Sequence, residues 1–252
     1  MEKIKNHQLK AGKYTRNPNP VTGKAQYGED RYAMNTFFAK KLGGIVLESG
    51  ALDGLTFSST YLFQNEADWL AVHVEASPVS FAQLEKNRPD CVNVHAALCV
   101  RETEVHYIGP SSAATSGAVG GVMEFMPPGA LDLFWPKDGN GDRRGIYGGG
   151  KAVIYPVLCR RLDSILNSIG LSHVDLWILD VEGAELEVLK TIDLNRVTID
   201  VIAIELDGKN TQKDADVNTF LIERGYVAHS KFPHQNTWFA RKQFLTENGL
   251  AK

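Results

Sequence analysis

The sequence predicts an α/β protein built on a doubly wound, mostly parallel sheet of about seven strands. Three observations carry that prediction. Short apolar runs rich in β-branched residues alternate with segments of helical spacing, which implies parallel pairing with helices on both faces. The connections are long enough for right-handed crossovers. Four of the runs end in an acid, at Glu48, Glu75, Asp180 and Glu205.

Residues 1–25 are polar, basic and turn-rich and read as a loosely docked leader. A first helix is expected from the spacing of Tyr32, Phe37, Phe38 and Leu42 ahead of a glycine stop. Strand 45–49, helix 58–67, strand 70–75, helix 78–87 and strand 92–97 follow. The pattern resumes with a short strand 152–157, a helix near 160–169, strand 174–179, helix 183–190, strand 199–205 and helix 214–224. Residues 226–230 and 237–241 read as a closing pair that supplies one antiparallel edge strand. Between the halves, residues 109–150 are rich in Gly, Pro and Ser and show no periodicity of their own. That stretch nevertheless holds Met123, Phe125, Met126, Phe134, Trp135 and Tyr147 beside Arg143 and Arg144, more apolar material than a disordered linker carries, and reads as a substrate-covering lid. The organisation expected is one domain over 26–245 with a loop insertion at 109–150.

Composition narrows the function. At 252 residues and 43% hydrophobic, the chain can bury a full core. The net charge of −3 is spread along the sequence, which leaves no footprint for nucleic acid and no basic face for anionic membrane. No apolar run approaches bilayer-spanning length and the first residues lack a signal-peptide core, so a cytoplasmic protein is expected. Cys91, Cys99 and Cys159 are odd in number and widely spaced, which argues against a disulfide framework or a zinc site and for small buried hydrophobes.

Ligands of open α/β sheets sit outside the carboxyl ends of the strands, so strand ends are the informative positions. Val46-Leu-Glu-Ser-Gly-Ala-Leu-Asp-Gly54 runs from an apolar strand into an acid, a glycine turn and a second acid. Gly50 and Gly54 allow close backbone approach, while Glu48 and Asp53 would repel a pyrophosphate and attract an amine or a sulfonium. Glu75 could accept both ribose hydroxyls of a nucleoside. That alone suits a nicotinamide cofactor equally well, but a dinucleotide fingerprint needs three glycines where G-A-L-D-G has two. S-adenosylmethionine is favoured and an NAD-dependent oxidoreductase is the alternative. A helix cap plus a solvated acid would also account for Glu48 and Asp53.

Several blocks together resemble the FkbM-type S-adenosylmethionine-dependent methyltransferases. They are Gln26-Tyr-Gly-Glu-Asp30, ESGALDGLTFSSTYLF (48–63), HVEASPVSFAQLEKNRP (73–89), NVHAALC (93–99), RRLDSIL (160–166), LDVEGAELEVL (179–189) and IELDG (204–208). LDVEGAE is the most specific. The resemblance implies a Rossmann-like class I methyltransferase fold and transfer of a methyl group to a hydroxyl of a sugar, glycan or other small natural product. It implies that Glu48, Ser49, Gly50, Asp53 and Gly54 surround the methionine part, with Ser58 and Ser59 as further donors. Glu75 and Ala76 would then hold the ribose, with Ala96 and Ala97 against the adenine and Asp180 closing the site.

Methyl transfer to an alcohol needs an aligned oxygen and a base. Asp180, Glu182, Glu205 and Asp207 are the candidates. Asp180, Glu205 and Asp207 could instead hold magnesium or manganese, an arrangement similar to that of catechol-type methyltransferases. A helix-dipole role remains open for Glu182. His95, His106, His229 and His234 form no ligand set in sequence. A non-catalytic module on the same fold, and a homo-oligomer, also remain open.

Overall fold

The computed structural model describes residues 22–39, 41–112, 120–126, 129–146, 150–206, 208, 210–229 and 236–251. The leader apart from residues 22–25, and with it Tyr147, Asp207 and His234, lies outside the described residues.

Helix α1 (Glu29–Thr36) precedes β1 (Ile45–Ser49), α2 (Tyr61–Ala67), β2 (Leu70–Glu75), α3 (Pro78–Asn87) and β3 (Val92–His95). Then come β4 (Ala97–Leu98), β5 (Thr103–Pro110), β6 (Gly121–Val122), α4 (Ala130–Phe134) and β7 (Ala152–Arg160). The chain continues through α5 (Leu162–Ser168), β8 (His173–Leu179), α6 (Glu185–Leu189), β9 (Thr198–Glu205) and α7 (Thr211–Ile222). It closes with β10 (Tyr226–Ala228), β11 (Asn236–Arg241) and α8 (Lys242–Glu247). Local chemistry sets several boundaries. Ser77 caps α3 by accepting the Ser80 N–H, with Pro78 at the first helical position. Asn210 caps α7 through the Lys213 N–H, so that helix begins earlier than its apolar spacing suggests.

The main sheet has seven strands in the order β10-β11-β9-β8-β1-β2-β3. β9, β8, β1, β2 and β3 pair in parallel. β11 is antiparallel to both its neighbours. The antiparallel strand is therefore one position in from the edge, not the edge strand expected. Strand β2 shows why both faces are covered: Leu70, Val72 and Val74 face one layer and Ala71 the other. Leu162, Ile165, Val188, Leu189, Val217 and Leu221 of α5, α6 and α7 fill the first layer. Ala33, Met34, Leu62, Phe63, Phe244 and Leu245 of α1, α2 and α8 fill the second.

Two strand expectations fail. The 152–157 segment is not one of its strands: β7 is longer and belongs to a second, four-stranded sheet ordered β4-β7-β5-β6. The third strand stops at His95: the Ala96 N–H to Glu75 O bond is its last rung to β2, and Ala97 and Leu98 cross over to pair with β7. The 109–150 stretch also carries structure, with Trp135 after α4 buried against Ile108 of β5 and flanked by Met123, Met126 and Phe134.

The cysteine expectation is corrected as well. Cys99, just past β4, forms a disulfide with Cys159 of β7, and Cys91 is a buried thiol outside that bond that donates to Gln64 Oε1. The parallel β4–β7 pairing places Ala97 beside Cys159 and brings the two Cα atoms to 5.6 Å, a juxtaposition that spacing cannot reveal. Among the described residues no helix is long and apolar enough to cross a membrane.

The disulfide closes the β4–β7 excursion at its foot across a separation of 60 residues. Replacing Cys159 by Ser should therefore cost about 4 kcal/mol by the loop-entropy relation. Urea unfolding of the parent and variant without reductant measures the difference, and equal midpoints and slopes would show that the bond does not constrain the unfolded chain.

Candidate functional site

A cleft opens at the carboxyl ends of β1, β2, β8 and β9 and is roofed by the second sheet. Its floor is the turn after β1. Gly50 has φ +84°, and a Cβ there would collide with the carbonyl oxygen of Asp180. The junction is tied by Asp180 N–H to Ser49 O (3.1 Å), Gly50 N–H to Val74 O (2.9 Å) and Trp177 Nε1–H to Ser49 Oγ (3.0 Å).

The acids divide by position. Glu75 lines the cleft from the end of β2, where Oε2 accepts Leu52 N–H (2.8 Å) and Oε1 accepts Ser77 N–H (2.7 Å). Burial pushes its carboxyl up to about 7, opposed by those two bonds and helped by nearby Glu48. Glu48 also lies on the cleft wall, but its oxygens turn inward: Oε1 accepts Ser59 N–H (2.8 Å), and Oε2 contacts Ser58 Oγ (3.1 Å) and Thr60 Oγ1 (2.9 Å). Helix α2 consequently starts at Tyr61, because the preceding residues fold onto Glu48.

Asp53, Gly54 and Ser58 do not line the cleft, whereas Ser49, Gly50, Ala76, Ala96 and Ala97 do. Asp53 shapes the turn from outside. Its Oδ1 accepts Leu55 N–H (2.9 Å) and Thr56 N–H (2.6 Å), and its Oδ2 accepts Thr56 Oγ1–H (2.8 Å). Gly54, at φ +75°, leaves room for Leu84 of α3 and for Arg88 at its C-cap.

At the other end of the cleft the LDVEGAE block becomes intelligible residue by residue. Asp180 leaves β8 into the cleft, and Glu182 (φ 55°) and Gly183 (φ 106°) make a strained turn that brings Glu182 beside it. Glu185 is buried, accepts Gly183 N–H (3.0 Å) and pairs with Lys213 of α7 (2.7 Å), which anchors the turn. One carboxylate oxygen from each of Asp180, Glu182 and Glu205 falls within 4.8 Å of the others. Asp180 is open to water in the cleft yet crowded by protein. Burial first, then Glu205 and Glu182, raise its carboxyl well above the usual carboxylate range. A second group, His173, Asp175 and Asp200, sits at the opposite strand ends; its acids are already met by Lys41 and Arg241.

Several lining residues had no assigned role in sequence. Tyr107 of β5, buried on the cleft wall, has a phenol pushed well above its usual range by burial and then by Glu75 and Glu182, so it stays a hydrogen-bond donor. Gly120, Gly121, Val122 and Phe125 line the roof. Gln26, Tyr27 and Glu29, from the block at 26–30, reach the mouth beside Asn236 of β11, whose Nδ2 donates to Glu29 Oε1 (3.0 Å). His95 and His106 do not line the cleft; they hydrogen-bond Ala76 O (3.2 Å) and Glu124 Oε1 (2.8 Å). His229 packs against Phe37.

This geometry meets a family profile: residues 48–228 match the methyltransferase FkbM domain, and the chain belongs to that family. No curated protein matches the chain. Among solved structures it is similar to methyltransferase FkbM from Methylobacillus flagellatus, at 12% identity and TM-score 0.46, covering 83% of this chain and 47% of that one. It is also similar to precorrin-6y C5,15-methyltransferase from Geobacter metallireducens, at 12% identity and TM-score 0.42, covering 91% and 93%. Aeropyrum pernix fibrillarin, in complex with S-adenosyl-L-methionine, matches at 11% identity and TM-score 0.40, covering 79% and 66%. Family membership rests on the profile match.

Substituting Gly50 by Ala should destabilise the fold by about 2 kcal/mol or more, since the added methyl both strains a positive φ and strikes the Asp180 carbonyl. Thermal and urea unfolding check this. Unchanged stability would mean that the β1 and β8 ends separate freely.

Proposed function

We propose that the chain is an S-adenosylmethionine-dependent O-methyltransferase acting on a hydroxyl of a sugar, glycan or other small hydroxylated compound. The observation that carries this reading is that Glu75 at one end of the cleft and Asp180 with Glu205 at the other line a single cavity. The donor set fits the cofactor. Glu75 offers a buried acceptor for ribose hydroxyls, and Ala76, Ala96, Ala97 and Leu98 leave a flat apolar wall for the base. Gly50, Ala51 and Leu52 also line the cleft, and their backbone is the proposed contact for the methionine portion. The carboxylate-lined cleft favours a small neutral or cationic acceptor over nucleic acid. Residues 120–126, with Gly120 to Val122 and Phe125 on the roof, suit a cover over the acceptor.

Bound S-adenosylmethionine supplies a methyl group already activated toward displacement. The chain then has two tasks, to align the acceptor oxygen in line and to take its proton as the new oxygen–carbon bond forms. Asp180 is the proposed base. Its raised affinity for a proton suits that task, and Glu205 beside it can share the proton afterwards. Asp180, Glu182 and Glu205 are also a donor set that fits a hard divalent cation such as magnesium or manganese, which would lower the pKa of the acceptor hydroxyl.

Asp180→Asn should lower kcat by about 100-fold or more while leaving S-adenosylhomocysteine affinity within about threefold. Isothermal titration and a methyl-transfer assay over a panel of hydroxylated acceptors measure both, with chelator and added magnesium deciding the metal. Unchanged turnover would remove Asp180 from the chemistry.

Glu75 predicts a pH signature. A ligand whose hydroxyls donate to Glu75 favours the ionised carboxylate, so affinity should be flat above about pH 7 and fall as pH drops, at most about tenfold per unit. Glu75→Gln should flatten that profile and weaken binding about 10- to 100-fold. A parent profile without the slope would detach Glu75 from the ligand.

A further inference from the structure

Beneath the cleft floor lies a closed hydrogen-bond network whose protons can be counted. Asn93 Nδ2 donates to Arg88 O at 3.0 Å, which turns Asn93 Oδ1 toward His73 Nδ1 at 2.8 Å. The flipped amide would set two carbonyl oxygens against each other, so this orientation is fixed. Oδ1 only accepts, and His73 Nδ1 must therefore carry a hydrogen. His73 is fully buried and its pKa is lowered to about 3, by burial first and by the Arg88 guanidinium second, so it is a neutral ring with one N–H. Its Nε2 is then a bare acceptor, 2.9 Å from Thr60 Oγ1.

Thr60 has one hydroxyl hydrogen, and His73 Nε2 takes it. Thr60 Oγ1 also lies 2.9 Å from Glu48 Oε2, and across that contact it has only lone pairs to offer. The hydrogen between them must come from Glu48. Arg88 Nη2, at 3.5 Å, approaches the second lone pair of Thr60, while Arg88 Nη1 donates to Gly54 O (2.8 Å) and Ser58 Oγ (3.2 Å). Ser58 Oγ, which accepts from Arg88 Nη1, turns its own hydroxyl hydrogen toward Glu48 Oε2 (3.1 Å), with Thr60 Oγ1 also 3.1 Å away, so each hydroxyl and ring nitrogen of the network has a partner, as burial demands.

We propose that Glu48 stands as a neutral carboxylic acid, a positioning residue whose O–H donates to Thr60 and whose other oxygen holds Ser59 N–H, so that it shapes the Ser58–Thr60 turn and contributes no charge to the cofactor site. This inverts the charge role read from the sequence, and it rests on the proposed cofactor for its functional consequence. The positive charge of a sulfonium would be met by the acids around Asp180. Burial also raises the Glu48 carboxyl above the usual range, opposed by the Ser59 N–H, the Arg88 guanidinium and the Ser58 hydroxyl.

Two measurements test the proposal. In the first, the affinities of S-adenosylmethionine and S-adenosylhomocysteine, which differ by the sulfonium charge, are compared for the parent and Glu48→Gln. The ratio between the two ligands should stay within about twofold of the parent's, because glutamine keeps a neutral donor and acceptor. A selective loss of S-adenosylmethionine affinity of about tenfold or more would overturn the proposal. The second needs no ligand: carbon-13 resonances of the glutamate carboxyls, with Glu48 assigned through its own backbone amide, should place Glu48 at the protonated position at neutral pH. A resonance at the ionised position overturns the proposal whatever the binding data say. Failure of the parent to bind either ligand would discard the cofactor reading and leave the carboxyl resonance to decide the proton on Glu48.

Discussion

The close junction between the ends of β1 and β8 organises the rest of the molecule. Gly50 turns against the Asp180 carbonyl with no side chain between them, and Ser49 accepts both the Asp180 N–H and the Trp177 indole N–H. Because neighbouring parallel strands end together there, their connecting loops must open outward, and the cavity between them is the cleft. The same junction sets the distance between the two carboxylate groups, Glu75 on one side and Asp180 with Glu205 on the other.

Around that junction, burial sorts carboxyls that look equivalent in sequence. Glu48 and Glu75 end adjacent strands, and both are almost fully buried. Glu48 meets side-chain hydroxyls and the Arg88–His73 network below the floor. Glu75 meets two backbone N–H groups and keeps lone pairs toward the cavity. Asp180 is a third case, in which desolvation by the surrounding protein, and then the charges of Glu205 and Glu182, lift a carboxyl on the cleft wall. A carboxyl's role here follows from what donates to it, more than from its place at a strand end.

The second sheet gives the site its roof. It is held at its foot by the Cys99–Cys159 disulfide and closed at its far side by Trp135 against Ile108. Through Tyr107 it adds a buried phenol to the cleft wall, within the electrostatic reach of Glu75 and Glu182. Gln26, Tyr27 and Glu29, with Asn236 of β11, complete the mouth, so the cavity is lined from many stretches far apart in the chain.

Strand and helix alternation, the apolar faces of β1, β2, β8 and β9 and the acids at their ends were legible in the sequence, because each depends on neighbours a few positions apart. The LDVEGAE block was legible for the same reason, as a local turn with its own anchor at Glu185. Pairing was not local. The transfer of β7 to a second sheet, the inward place of antiparallel β11, the disulfide, and the roles of Tyr107, Tyr27 and Asn236 all depend on contacts between segments far apart in the chain. The charge state of Glu48 belongs with them, since it depends on Thr60, His73, Asn93 and Arg88 meeting in the dry interior. The sequence by itself determined which residues could form strands and carry acids to one rim; only the tertiary structure decided which of those acids face the cavity and which are consumed beneath it, because burial and hydrogen-bond partners are properties of the packed chain.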